Sequence, residues 1–93
     1  MIKTFADKRS AALFLGRFVK GLPSDVAERA KRKLDLIDSA ATLAFLQVPP
    51  GNRLEALKGK RAGEFSIRVN DQWRICFRWQ EGNAFDVEFC DYH

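Results

Sequence analysis

The hydrophobic period of this chain changes at Gly63. Before it, Val26, Ala30, Leu34, Ile37 and Ala41 follow one another at steps of 4, 4, 3 and 4, the single stripe of an amphipathic helix. After it the period is two. Phe65, Ile67 and Val69 alternate with Ser66 and Arg68, and Trp73, Ile75, Phe77 and Trp79 alternate with Arg74, Cys76 and Arg78. Phe85, Val87 and Phe89 then alternate with Asp86, Glu88 and Cys90. Asn70-Asp71 and Glu81-Gly82-Asn83 separate these runs as turn signals. Helices and half-buried strands each bury one face only, so helices that precede a meander of three antiparallel strands must cover its apolar face. The expectation is an α+β fold over a single domain, residues 1–93. Two N-terminal helices pack on a small twisted, mainly antiparallel sheet.

The remaining segments fit that frame. Ile2-Lys3-Thr4-Phe5 is suited to a short first strand, and Asp7 to the N-cap of a helix that carries Ala11, Leu13 and Phe14 and ends near Gly16. Gly21-Leu22-Pro23-Ser24 is a break, after which Ser24 or Asp25 caps the longer helix. Val48-Pro49-Pro50-Gly51-Asn52 excludes helix and central strand, and Leu54 to Gly59 reads as a structured loop. With 93 residues the core is small, and 8 Phe and 2 Trp are enough to fill it.

Several function classes are disfavoured at this stage. No run approaches the roughly 20 apolar residues of a membrane span. Met1 to Phe5 carries no apolar leader segment, so a cytoplasmic location is expected. Cys76 and Cys90 read as reduced packing residues, and with one histidine at these spacings they do not make a zinc site, so neither metal nor cofactor is expected. The net charge is +4, unevenly divided. Residues 1–61 hold 13 Lys/Arg against 6 Asp/Glu, a balance of +7, while residues 62–93 hold 3 against 6, a balance of −3. Arg29, Lys31, Arg32 and Lys33 concentrate the positive charge on the long helix, where a polyanionic partner would be attracted.

Alternation also selects the residues that look away from the helices. They are Ser66, Arg68, Arg74, Arg78, Glu88 and Cys90. Three guanidinium groups on adjacent strands can bind phosphate through bidentate hydrogen bonds. Arg74 or Arg78 can equally pair with Glu88 across the strands. Because Trp73 enters the core while Arg74 faces away, replacing Arg74 is expected to leave the fold intact. Lys58 and Lys60, in a loop before the meander, add point charges. The last three residues, Asp91-Tyr92-His93, include the only histidine, whose unperturbed pKa lies near neutrality. By parity Tyr92 joins the arginine face, while Asp91 and His93 fall on the apolar set. Tyr92 is suited to stacking on an unpaired base.

Three stretches carry a family resemblance. They are Pro49-Pro50-Gly51-Asn52-Arg53-Leu54-Glu55-Ala56-Leu57-Lys58-Gly59, Arg61-Ala62-Gly63, and Ser66-Ile67-Arg68-Val69-Asn70-Asp71-Gln72-Trp73-Arg74-Ile75-Cys76-Phe77. With the closing Asp91-Tyr92-His93 they make a chain that resembles the HigB-type toxins of the RelE superfamily, over essentially its whole length. The resemblance implies a RelE-like fold and a ribosome-dependent endoribonuclease that cleaves mRNA in the A site. It implies a helix-turn-helix, HigA-like antitoxin as partner. Carried over position by position, it implies Lys58, Arg74, Asp91, Tyr92 and His93 as catalytic residues, with Arg53, Glu55, Lys60, Arg68 and Arg78 as RNA contacts. Some members carry a histidine where Glu55 stands here. Two rivals remain at this level: a non-catalytic toxin of the same fold that blocks a protein such as gyrase, and a plain basic RNA-binding protein.

Overall fold

The computed structural model describes residues 1–91. Helix α1 spans Lys8–Phe14 and is capped by Asp7, whose carboxylate accepts from the Ser10 amide at 2.8 Å. Helix α2 spans Ser24–Ser39. It starts directly after Pro23 with no side-chain cap, so neither Ser24 nor Asp25 plays the capping part expected of it. Ala30, Leu34 and Ile37 are fully buried, as their spacing required. The stripe ends one residue early: the helix stops at Ser39, Ala40 is buried, and Ala41 is exposed.

Four antiparallel strands follow: β1 (Glu55–Ala56), β2 (Glu64–Arg68), β3 (Trp73–Gln80) and β4 (Asn83–Asp91), in that spatial order. The sequence reading had β1 as loop, because two residues carry no period. Ile2 and Phe5 bridge in parallel to Ala84 and Val87, so the N-terminal segment lies along the outer edge of β4. At the β2–β3 turn, Asn70 Oδ1 accepts from the amides of Gln72 and Trp73 at 2.9 and 2.8 Å. The β3–β4 turn has positive φ at both central residues, Glu81 (51°) and Gly82 (77°), which matches the twist of a two-residue hairpin.

The helices cover one face of the sheet. Leu13, Ala30, Leu34 and Ile37 meet Ile67, Ile75, Phe77, Val87 and Phe89 in one core. Ser10 Oγ accepts from the Phe89 amide at 2.8 Å, and Arg9 donates to the Phe89 carbonyl at 2.9 Å, so α1 is tied to β4 by polar bonds as well as by packing. Trp73 stacks on Phe89 at 4.4 Å, with the Arg9 guanidinium 5.5 Å from the Trp73 ring.

One expected face assignment is overturned. Arg78 pairs with Phe85 and Cys76 with Glu88, so two residues, Asp86 and Val87, oppose Phe77 alone. This is a bulge, with Asp86 at φ 52°. Upstream of it the faces of β4 exchange. Ala84 is buried, and Phe85, expected in the core, is partly exposed opposite Arg78.

Candidate nucleic-acid interface

The face of the sheet away from the helices is built from register. Glu55 on β1 lies opposite Ser66, Ser66 opposite Cys76, and Arg68 opposite Arg74, which in turn opposes Cys90 on β4. A loop residue completes the group: Arg53 adopts a left-handed conformation (φ 46°) and turns its carbonyl onto Arg74 Nη2 at 2.7 Å. Arg53, Glu55, Arg68 and Arg74, with Asn70 and Asp71, line a cavity of about 240 Å³. Four residues singled out from the sequence thus meet in one place.

Arg74 is far more enclosed than a surface arginine, at 5% exposure. Its Nε donates to Ser66 Oγ at 2.8 Å and its Nη2 to the Ser66 carbonyl at 3.3 Å. Glu55 Oε1 lies 4.0 Å from the same nitrogen. Arg74 is therefore a structural tie between β1, β2 and the preceding loop, so its removal is expected to cost stability. Arg68 pairs with Asp71 at the turn.

Arg78 does not join this cavity. It sits four residues along β3, about 13 Å away at strand rise, opposite Glu64 in register, and pairs with Asp86 at 3.4 Å. Glu88, the partner first considered for Arg74 and Arg78, is held instead by Arg61 Nη2 at 2.6 Å. Arg61 also binds Glu64 at 2.9 Å, and hydrogen bonding to Glu88 holds its pKa above the ordinary arginine value. It thereby straps the loop that carries Lys58 and Lys60, both exposed, onto the sheet. No local sequence pattern announces this role of Arg61, because Glu88 stands 27 positions away.

Cys76 and Cys90 are free thiols beside this strap. Interaction between the two thiols lowers the Cys76 pKa and raises that of Cys90, and nearby Arg61 also favours the Cys76 thiolate. Asp91 pairs with Trp73, so it belongs to the opposite set from Cys90, as parity implied. Its carboxylate accepts from Gln72 Nε2 at 3.3 Å. Tyr92 and His93 lie outside the described residues. Among the described residues no group of three His, Cys, Asp or Glu is placed to hold a metal ion, and no helix is long and apolar enough to cross a membrane.

The arrangement joins cationic donors, which suit an oxyanion, to a carboxylate in one cleft. A family model, the HigB-like toxin, described as the RelE-like toxin of type II toxin–antitoxin system HigB, matches residues 3–93. The chain belongs to this family. Among HigB relatives, Toxin HigB-1 of Vibrio cholerae serotype O1 is 42% identical over 66 residues, which cover 71% of this chain and 70% of that one. Endoribonuclease HigB of Proteus vulgaris is 36% identical over 93 residues, the full length of both. The fold is shared more widely. The YoeB–YefM complex from Staphylococcus aureus superposes with a TM-score of 0.64 at 15% identity, covering 100% of this chain and 98% of that one. YafQ from E. coli gives 0.64 at 13% identity, covering 98% and 91%. The α+β, RelE-like architecture expected from the sequence is the one found.

Proposed function

We propose that this HigB-family toxin is an endoribonuclease that cuts mRNA in the ribosomal A site and so stops translation, and that a HigA-like helix-turn-helix antitoxin neutralises it. The observation that carries the reading is the cavity in which Arg53, Arg68 and Arg74 converge with Glu55. The full-length relative from Proteus vulgaris, named an endoribonuclease, supports it.

The reaction uses the RNA's own nucleophile. The 2′-oxygen attacks the adjacent phosphorus, the bond to the 5′-oxygen breaks, and a 2′,3′-cyclic phosphate and a 5′-hydroxyl result. Three tasks fall to the protein: taking the 2′ proton, stabilising the phosphorane oxygens, and giving a proton to the leaving oxygen. Arg74, Arg53 and Arg68 suit the second task at the cavity, with Lys58 and Lys60 as mobile charges on the strapped loop and Arg78 as an outlying strand contact. Glu55, half exposed beside Arg74, suits proton transfer, as do Asp91, Tyr92 and His93. Orientation of the strand by the ribosome contributes through proximity.

The test is to add the purified toxin to programmed ribosomes and map mRNA 5′ ends. Cuts that appear with ribosomes and vanish without them are expected. Arrest of DNA replication before translation in expressing cells, with no new mRNA ends, would replace this reading with that of a protein-blocking toxin.

A further inference from the structure

A second cationic cavity adjoins the first. It measures about 290 Å³ and is lined by Arg29, Arg32 and Lys33 of α2 together with Gly51, Arg68 and Val69. Arg68 lines both cavities, so the two are neighbours on the surface. The three α2 residues stand at i, i+3 and i+4, on one side of the helix. Lys31, expected to belong with them, is drawn away: it pairs with Asp35 at 3.2 Å and lies over the Phe14 ring.

The two α2 arginines of the cluster lack counter-charge. Among the described residues neither Arg29 nor Arg32 has a carboxylate within 4.0 Å, whereas Lys31, Arg61, Arg68 and Arg78 each do. Glu28, four residues before Arg32, lines a different cavity beside α1, and Asp35, three residues after it, is held by Lys31. Lys33 is half-buried, and its ammonium donates to the neutral carbonyl of Asn52, itself fully buried and anchored to the Leu46 carbonyl at 3.2 Å. Burial lowers the Lys33 pKa, and the charges of Arg29, Arg32 and Arg68 lower it further. Like charges are thus held together by the fold at an electrostatic cost that a bound anion would remove.

We infer that the groove formed by Arg29, Arg32, Lys33 and Arg68 is a second backbone-phosphate subsite, taking nucleotides of the same RNA strand that flank the cleaved bond. This inference rests on the endoribonuclease reading for the identity of the first cavity, and on the shared Arg68 for the continuity of the strand. The subsite positions the strand; it does not touch the reacting atoms.

The experiment measures binding and needs no cleavage. A labelled 2′-O-methyl oligoribonucleotide of a dozen nucleotides, which cannot be cut, is titrated into the wild type and an Arg29→Gln/Arg32→Gln variant over a range of salt. Both side chains are exposed, so the variant should melt with the wild type. Expected is binding weaker by about tenfold, with a salt dependence shallower by roughly 0.7 per lost contact. Unchanged affinity and salt slope overturn the proposal. So does a defect seen only with vacant ribosomes, which would assign the groove to ribosomal RNA, or only with the antitoxin, which would assign it to an acidic protein surface. Weakened binding without cleavage on ribosomes would instead leave the groove standing and remove the endoribonuclease reading.

Discussion

At the scale of the residue, Arg74 has two jobs that mutation will not separate by itself. It lines the cleft, and it holds the Arg53 carbonyl, Ser66 Oγ and the Ser66 carbonyl from a position only 5% exposed. Arg74→Ala leaves those acceptors buried or half-buried without their donor, and each charge-assisted bond of this kind is worth about 1.5–3 kcal/mol. The variant should lose about 2–4 kcal/mol of stability in a denaturant titration. Arg74→Lys should recover part of this and no more, because an ammonium cannot reproduce the guanidinium fork. Cleavage must then be compared at a temperature where both variants remain folded. A fall of about 10²-fold or more there assigns phosphate stabilisation to Arg74 in addition to its structural part. Cleavage at the wild-type rate by the folded alanine variant would leave it a strut.

At the scale of the element, the bulge in β4 decides which residues reach the RNA face. Asp86 sits at φ 52°, bonds Arg78 at 3.4 Å, and donates its amide to Thr4 Oγ1 at 2.8 Å on the N-terminal segment. Glycine accepts that backbone freely and a β-branched residue does not. Asp86→Val should therefore cost about 1–3 kcal/mol, and Asp86→Gly markedly less, as read from denaturation midpoints. Equal midpoints for the two would show that the left-handed backbone carries no strain. The bulge also marks where the sequence stopped being legible. Alternation identified all three long strands and the buried Ile67, Ile75, Phe77, Val87 and Phe89, because a period of two is a local property. It assigned Phe85 to the wrong face, because one extra residue reverses parity and Asp86 gives no local sign of it. Arg68 and Arg74 were legible as a pair for the same reason that the strands were. Arg29, Arg32 and Lys33 were legible as a basic cluster on the helix, but their meeting with Arg68 and the tie of Arg61 to Glu88 were not, since these contacts are set by packing between segments far apart in the chain.

At the scale of the whole molecule, charge and chain direction converge on one end of the sheet. The first 61 residues, with a balance of +7, supply the α2 groove and the Lys58–Lys60 loop, and the acids of the remainder serve largely as partners that fix arginines in place. Strand β4 runs with Val87 and Phe89 locked into the core, Cys90 opposite Arg74, and Asp91 paired with Trp73. Cys90, near the end of the described residues, thus lies beside the residue that anchors the cleft. Among the described residues the core is made from Leu13 through Phe89. Removing His93 should accordingly leave the melting temperature within the range of a surface substitution, about 0.5 kcal/mol, while sharply reducing ribosome-dependent cleavage. Tyr92→Ala should weaken RNA binding by the worth of one stacked base, about 1–3 kcal/mol, and Tyr92→Phe should be milder unless the phenol carries a proton. The measurement pairs thermal melting with mRNA 5′-end mapping for the wild type and the chain ending at Tyr92. If the shortened protein melts normally and cuts at the wild-type rate, His93 transfers no proton, and that task passes to Glu55, which stands 4.0 Å from Arg74 inside the cleft.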